Sequence, residues 1–458
     1  MIELLGENYY IDFKGLENEV NIPYIEKTPI KKSDEETVEE TVEETVESSI
    51  QQINIVKFET IKMMLEVVLT EREEIDNNLG VVTSKNLSIP FRMAFNTLLR
   101  HGIIKSELLN KVELSVQKLK DKSVRIYFLT QDTKGNAKAS VRQTYETALA
   151  LKNNGFNPII IHETKEYTGV SEWLGDKYME LPHESIDGDE LKISPEDFIV
   201  VPEIYGHVLE QVSKLSCGKI ISCQAYDHML ETLQPGTTWS QYGFLTAITT
   251  SEKQKEYVKE IIKNVKFNII EPFISNDFKS KTIPSKPIIS IHTRDQRDTM
   301  KIIKTFYLKF PQFRWITFRD MRGLNQEQFS EYLQDAFVSV WVDDTSAFGT
   351  FPIESMASRT PVIGKVPNMK PDWMKEDNGI WTYELNQMPD IIAEFIQNWL
   401  EDNINETLYT LGLETASKFQ NRELFEGKVV SVFENYLNSR KEVFISQLDK
   451  LKVVEENK

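Results

Sequence analysis

The residues best suited to chemistry lie in the segment 348–363, where one carboxylate stands between a glycine turn and a buried strand. Gly349 lies in a predicted loop, Glu354 opens a helix predicted over 354–358, and Pro361 leads into an apolar strand. A glycine lets a backbone approach a ligand closely, and a helix that follows such a loop favours an anion. Glu354 could accept the two hydroxyls of a ribose. The alternative is a helix N-terminal charge that the macrodipole stabilises.

A second candidate group follows the apolar stretch Ile288–Ile291. The loop there contains two guanidinium groups, those of Arg294 and Arg297. Fixed cations stabilise the negative charge that a nucleoside diphosphate gains as its bond to a sugar breaks. Both arginines are therefore candidates for that role, and surface ion pairs with Asp295 and Asp298 are the alternative.

Two weaker signals lie earlier in the chain. The loop 133–137, with Gly135 and Asn136, precedes a predicted helix, where a glycine-rich loop would meet a phosphate or a sugar. It has a single glycine and lacks the Gly-x-Gly-x-x-Gly spacing. Asp227 and His228 follow another predicted strand and could supply a polar wall or a base to a cleft. Ordinary hydrogen bonding within the loop is the alternative for both side chains.

The sequence predicts no metal site. Asp343 and Asp344 adjoin at the end of a predicted strand, which favours a capped turn over a pair of metal ligands. The six histidines are scattered without ligand-like pairing. Cys217 and Cys223 are too few for a disulfide framework or a zinc site. We expect two buried free thiols, no cofactor and no essential metal.

The elements that must position these residues begin at residue 123, where short apolar runs alternate with predicted helices. Such runs are typical of parallel strands that are buried on both faces. A proline-punctuated joint over 270–287 divides them into two series. Parallel sheets bind ligands at the carboxyl ends of their strands, where every candidate above lies. The predicted strands are 124–129, 158–161, 198–201, 219–222 and 245–249 in the first series, and 288–291, 314–318, 338–342 and 361–363 in the second; helices are predicted over 140–153 and 300–310.

Composition narrows the functional class. The chain has 458 residues, enough for two or three domains, and a net charge of −18. An acidic surface repels phosphate backbones, so free nucleic acid is not expected as a simple partner. No apolar run reaches the roughly 18–20 residues of a membrane span, and residues 1–5 lack a signal-peptide pattern. We expect a cytoplasmic protein.

The N-terminal part of the chain differs in composition from the rest. Residues 1–54 are strongly acidic and include three tandem copies of Glu-Glu-Thr-Val at 35–46, which predicts a low-complexity linker over 33–49. Apolar residues at helical spacing predict a small helical domain over 55–121. That domain either packs only against the rest of the chain or mediates protein contacts or oligomerisation.

Together these residues resemble the GT-B glycosyltransferases, in particular the retaining group whose donor domain carries two glutamates separated by seven residues. The stretch from Ser346 to Glu354 occupies that signature, with Ser346 in place of the first glutamate. The small-residue segment Ser358-Arg359-Thr360-Pro361-Val362-Ile363 follows it, as in the family. The likeness covers about residues 122–440.

The resemblance implies an α/β fold of two doubly wound, Rossmann-like parallel-sheet domains that face each other across a cleft, with a mainly helical N-terminal extension. It implies an acceptor domain over 122–272 and a nucleotide-sugar donor domain over 287–420. A C-terminal helix, with the tail, over 421–458 would cross back to the acceptor domain.

The resemblance also implies roles for the candidate residues. The expected catalytic residues are Arg294, Arg297, Glu354 and His228. Gly135, Asn136 and Asp227 are expected on the acceptor side. The expected donor-binding residues are Ser346, Phe348, Gly349, Thr350, Phe351, Glu354, His292 and Thr293.

The implied activity is transfer of a hexosyl or pentosyl group from a nucleotide diphosphate sugar, with retention of configuration. The acceptor stays open among a glycan, a lipid-linked sugar, a protein and a modified nucleobase. Two alternatives also stay open. One is a nucleotide-sugar epimerase on the same fold, and the other is an inactive scaffold for binding, which Ser346 suggests.

Overall fold

The structure is a computed structural model that describes residues 9–11, 63, 90, 93–94, 97, 104–134, 137–187, 191–279, 286–403 and 405–456. Residues 118–440 belong to one compact unit, and the described residues before and after them belong to another. In the latter, strand β1 (Tyr9–Ile11) pairs in antiparallel fashion with β2 (Ile104–Ser106). The predicted acidic segment, its linker and most of the predicted helical domain lie outside the described residues.

Two parallel sheets form the unit 118–440. The strands of the first are β3 (Arg125–Leu129), β4 (Asn157–His162), β5 (His183–Ser185), β6 (Phe198–Pro202), β7 (Gly218–Cys223), β8 (Thr246–Thr249) and β9 (Lys266–Ile269). Those of the second are β10 (Lys286–Thr293), β11 (Thr317–Asp320), β12 (Ala336–Val342), β13 (Val362–Lys365) and β14 (Ile380–Thr382). The orders are β5-β4-β3-β6-β7-β8-β9 and β11-β10-β12-β13-β14. These two sheets confirm the predicted α/β fold of two parallel sheets, while the mainly helical N-terminal extension stays a prediction.

Helices connect most of the neighbouring parallel strands, as is usual for crossover connections in such sheets. Their bounds are α1 (Glu107–Lys120), α2 (Ala139–Asn153), α3 (Leu209–Ser213), α4 (His228–Thr232), α5 (Glu252–Ile261), α6 (Gln296–Lys309), α7 (Gln326–Asp335), α8 (Thr350–Ala357), α9 (Met388–Leu400), α10 (Glu406–Ser417) and α11 (Arg422–Glu456). None of the helices in the described ranges is long and apolar enough to cross a membrane.

Burial explains which strands could be predicted from the sequence. Every residue of β12 is buried, and β3 and β6 are buried almost throughout, so these strands read as continuous apolar runs. The strands β5, β9 and β14 lie at sheet edges and are mostly only half-buried, so they lack that pattern. The cysteines, Cys217 and Cys223, are buried free thiols, as expected.

Three predicted elements are displaced along the chain. The helix predicted over 300–310 begins at Gln296, because the carboxylate of Asp295 accepts the N–H of Arg297 and caps the helix N-terminus. The strand predicted over 314–318 lies at Thr317–Asp320, because the N–H groups of Phe313 and Ile316 close turns on residues 310 and 313. The helix predicted to open at Glu354 begins at Thr350. Glu354 therefore lies in the second turn of α8, where the helix macrodipole does not account for a carboxylate.

The long helix α11 returns to the first sheet. Phe433 packs on Phe128 of β3, with ring centroids 5.9 Å apart, and the amide of Asn268 in β9 donates to the hydroxyl of Tyr436 at 3.0 Å. These contacts place residues 433–436 of this helix against the first sheet. The domain bounds given above remain predictions.

Gly364 of β13 lies between two tryptophans, Trp341 of β12 and Trp381 of β14. A Cβ atom on Gly364 would lie 2.5 Å from the ring of Trp381. We expect Gly364→Ala to lower the free energy of unfolding by roughly 1–3 kcal/mol, because the ring must shift within a packed sheet.

Urea unfolding measures this loss. The matched control is Gly427→Ala in α11, where an added Cβ has no neighbour within 4 Å. The control should be neutral or stabilising by up to about 1 kcal/mol, since alanine favours a helix. Equal effects of the two substitutions would contradict the assigned packing.

Candidate functional site

A cavity of about 810 Å³ lies where the carboxyl ends of both sheets meet. Residues that follow β3, β6 and β7 line it from the first half, and residues that follow β10, β11 and β12 line it from the second. In each sheet the strand order reverses direction next to β3 and β10, and such switch points are where open α/β sheets bind ligands. The volume is within the usual range of about 300–1,000 Å³ for small-molecule sites.

The loop before α8 approaches the sheet too closely for any residue except glycine. Gly349 has φ 76°, and a Cβ there would lie 2.9 Å from the ring of Trp341. The Trp373 indole N–H donates to the carbonyl of Phe348 at 2.6 Å and holds the loop from the other side. Phe348, Gly349, Thr350 and Phe351 all line the cavity. The side chains of Phe348 and Phe351 are also buried in an apolar cluster with Trp341, so they support the loop.

Glu354 lines the cavity, and its side chain is only 2% exposed. Its Oε1 accepts a hydrogen bond from the guanidinium of Arg142, which lies in the first turn of α2 in the other half and is 9% exposed. Burial raises the pKa of Glu354, and Arg142 opposes that rise. This ion pair joins the two halves inside the candidate site.

Arg294 follows β10 and reaches across to the first half. Its Nη2 lies 3.4 Å from Oδ2 of Asp227 and 3.1 Å from Nε2 of His228, and its Nη1 lies 3.7 Å from Oδ1 of Asp343. A guanidinium only donates, so Nε2 of His228 is the acceptor and its proton lies on Nδ1, toward Glu231. Arg294 and His228 line the cavity, and Asp227 does not.

Asp227, His228 and Glu231 place three potential metal-ligand atoms within 4.8 Å of one another. The guanidinium of Arg294 already supplies a positive charge to two of these residues. A second cation beside it would be repelled. That the site needs no metal stays a prediction.

Arg297, the second cation chosen from the sequence, lies elsewhere. Its side chain is 90% exposed and pairs with Asp295, whose carboxylate also accepts from the Arg297 backbone N–H at the start of α6. The structure therefore matches the alternative of a surface ion pair. Arg322, which follows β11, lines the cavity in its place and pairs with Asp320.

His292 and Thr293 end β10 at the cavity wall. The ring of His292 stacks on Phe351 with centroids 5.1 Å apart, and its buried Nδ1 has no hydrogen-bond partner among the described residues. Burial lowers the pKa of His292 to about 4. The hydroxyl of Thr293 donates to the Asp295 carbonyl at 2.7 Å and lies 2.5 Å from the hydroxyl of Thr299, so it shapes the loop.

Ser346 lines the cavity, and its backbone forms an antiparallel bridge with Ala225, which follows β7. The two halves therefore meet at Ser346 as well as at Glu354. The neighbouring acids have other roles. Asp343 accepts from the N–H of Thr345 in a capped turn, and Asp344 pairs with Lys365 at 2.5 Å.

Sequence reasoning missed Glu203, which directly follows β6 and lines the cavity. Its Oε1 accepts the N–H of Ala225 at 2.7 Å, so it fixes the loop that contains Asp227 and His228. Burial raises the pKa of Glu203 to about 7. Its position immediately after a strand was the available signal.

Arg142 and Arg322 were missed for a different reason. Arg142 lies inside a predicted helix, and Arg322 lies two residues after β11 but four residues after the end predicted for that strand, so neither directly follows a predicted strand. The predicted acceptor-side residues Gly135 and Asn136 lie outside the described residues. Their neighbours Ala137 and Lys138 line the cavity.

Comparisons with known proteins agree with this architecture. No protein-family model matches the chain, and no curated protein is similar to it. Sucrose-phosphate synthase from Thermosynechococcus elongatus superposes with a TM-score of 0.51 at 13% identity, over 69% of this chain and 100% of that one. The Anabaena protein HepE in complex with UDP-glucose superposes with a TM-score of 0.49 at 10% identity, over 68% and 99%. The first similarity shows that the chain has the GT-B fold.

His292 should make the stability of the chain depend on pH. The unfolded chain binds a proton on this residue near pH 6.5, whereas the folded chain binds it only near pH 4, so protons favour unfolding as the pH falls through this window. We expect His292→Asn to flatten the pH dependence of the free energy of unfolding between pH 6.5 and 4, by up to about 1.4 kcal/mol per pH unit.

Urea unfolding at a series of pH values measures the slope. Gly427→Ala, which changes no ionisable group, provides the control and should leave the slope of the wild type unchanged. If His292→Asn also left the slope unchanged, the burial of the His292 ring would be contradicted.

Proposed function

We propose that the chain transfers a glycosyl group from a nucleoside diphosphate sugar to an acceptor, with retention of configuration. The observation that carries this proposal is the position of Glu354. This carboxylate is almost fully buried in a cavity at the facing ends of two parallel sheets, on a helix that follows a glycine turn. The GT-B fold and the resemblance of the 346–363 segment to the retaining group support the same conclusion.

Glu354 is the group that would hold the ribose. Ribose hydroxyls donate hydrogen bonds, and a buried carboxylate accepts them strongly because water does not compete. In the reaction, the bond between C1 of the sugar and the diphosphate oxygen breaks, and the electron pair leaves with the diphosphate. The acceptor oxygen bonds to C1, and its proton passes to Nε2 of His228, which lines the cavity.

Cations of the second half would stabilise the charge on the departing diphosphate. Arg294 and Arg322 line the cavity from the loops after β10 and β11. Fixed cations of this kind stabilise the transition state without a metal ion. Arg297 has no part in this proposal, because it lies on the exterior.

The acceptor side is formed by the first half. His228 and Glu231 line the cavity there. The lone pair of His228 Nε2 is occupied by Arg294 in this arrangement. His228 can therefore accept the proton of an acceptor hydroxyl only after Arg294 has moved away from Nε2. The negative charge of the leaving diphosphate would attract Arg294 and so favour that movement.

An inactive scaffold is the second candidate, favoured by Ser346 at the position of the first signature glutamate and by its backbone bridge to Ala225. Such a scaffold binds nucleotide sugars without releasing nucleoside diphosphate. An epimerase would convert the donor without any acceptor. Chromatography of the sugar products distinguishes the three functions. A transferase gives a glycosylated acceptor, an epimerase gives a converted donor, and an inactive scaffold gives no product.

The test is calorimetric titration of the chain with ADP-, GDP- and UDP-glucose, followed by donor turnover with the one that binds. We expect Glu354→Gln to weaken its binding by about ten-fold or more, since a hydrogen bond to a charged group contributes about 1.5–3 kcal/mol.

Glu146→Gln is the matched control. Glu146 is 1% exposed and pairs with an arginine, Arg422, but it lies outside the cavity. This variant should lose stability and keep the affinity of the wild type. The proposal fails if the wild type binds none of the three donors, or if both variants bind the donor equally well.

A further inference from the structure

The carboxylate assigned to the ribose already has a partner. Glu354 in α8 and Arg142 in α2 come from opposite halves, and both side chains are at least nine-tenths buried. A ribose whose hydroxyls donate hydrogen bonds to both carboxylate oxygens of Glu354 must therefore displace the guanidinium of Arg142 or share the carboxylate with it. Arg142 would then need another anion to compensate its buried charge.

Removing one member of a buried ion pair leaves the other charge uncompensated, which is strongly unfavourable. A nucleoside satisfies Glu354 with its hydroxyls but brings no anion for Arg142. A nucleoside diphosphate brings both, because its phosphates are attached to the same ribose. Exchange of partners then leaves neither buried charge alone.

The geometry of Arg142 suits this exchange. Its side chain lines the cavity, and its Nε is buried and has no hydrogen-bond partner among the described residues. A guanidinium can present two parallel N–H groups to a phosphate. Arg294 and Arg322 line the cavity from the other half, so a diphosphate between them and Arg142 would be contacted by cations from both halves.

We propose that Arg142 is a diphosphate-binding residue, contributed by the first half, that exchanges Glu354 for the diphosphate of an entering nucleotide. The proposal rests on the proposed function and adds a residue that the sequence analysis did not single out. One consequence is selectivity. Binding of a nucleoside without phosphates breaks the ion pair and leaves Arg142 without an anion, which weakens the binding. A nucleoside diphosphate supplies that anion, so its binding is not weakened in this way.

The experiment is calorimetric titration of the full chain with ADP, GDP and UDP and with adenosine, guanosine and uridine. The variants are Arg142→Gln and a matched control, Arg422→Gln. Arg422 also pairs with a buried glutamate of α2, Glu146, but neither residue lines the cavity.

We expect Arg142→Gln to weaken binding of the preferred nucleoside diphosphate by about ten-fold or more. Binding of the matching nucleoside should stay equal or become tighter, because it no longer competes with a guanidinium for Glu354. Arg422→Gln should change both affinities by less than about two-fold. The opposite response of the two ligands is a result that a merely structural role of Arg142 would not give.

Other results would overturn the inference. Equal losses for the nucleoside and the nucleoside diphosphate would show that Arg142 only supports the fold, and unchanged affinities would show that it does not contact the diphosphate. In both cases nucleotide binding by the wild type would leave the proposed function standing. If the wild type binds no nucleotide, both proposals fail together.

Arg142→Lys covers the case in which the glutamine variant does not fold. Lysine keeps the charge for Glu354 but lacks the two-pronged guanidinium, so we expect an intermediate loss of diphosphate affinity and unchanged nucleoside binding. Wild-type affinity of this variant for the nucleoside diphosphate would contradict bidentate binding.

Discussion

A buried charge needs a partner, and in this chain the partner of Glu354 comes from the other half of the molecule. The Arg142 guanidinium and the Glu354 carboxylate lie together in a cavity to which both sheets contribute. Taking two charges out of water costs several kcal/mol for each ion, so such a pair persists only where geometry and further contacts compensate. A ligand that carries both hydroxyls and negative charge can replace each partner in this cavity. Its hydroxyls would bind Glu354, and its negative charge would bind Arg142.

The fold makes that meeting possible. Parallel strands bring all their carboxyl ends to one edge of a sheet, and here the corresponding edges of two sheets face each other. Local contacts then orient the side chains that line the cavity. Gly349 lets the loop before α8 lie against Trp341, and Glu203 holds Ala225 so that the following loop presents His228 to Arg294.

Sequence patterns predicted the two sheets because their central strands are buried on both faces and are therefore apolar throughout. The half-buried edge strands β5, β9 and β14 lack that signal. Glu354 could be chosen because its glycine loop marks it locally. Arg142 could not, because its importance arises from a contact across 212 positions in sequence, which no local spacing encodes. Arg297 was chosen for its position in a loop, but Asp295 pairs with it on the surface.

In the proposed complex a nucleoside diphosphate occupies the cavity between the two sheets, with its ribose bound to Glu354 and its diphosphate bound to Arg142. A crystal structure of the chain grown with the nucleoside diphosphate of highest affinity tests it most directly. We expect density for both phosphates between Arg142 and the arginines of the second half, with the ribose hydroxyls bonded to Glu354. A nucleotide bound outside the cavity, with Glu354 still paired to Arg142, would contradict it.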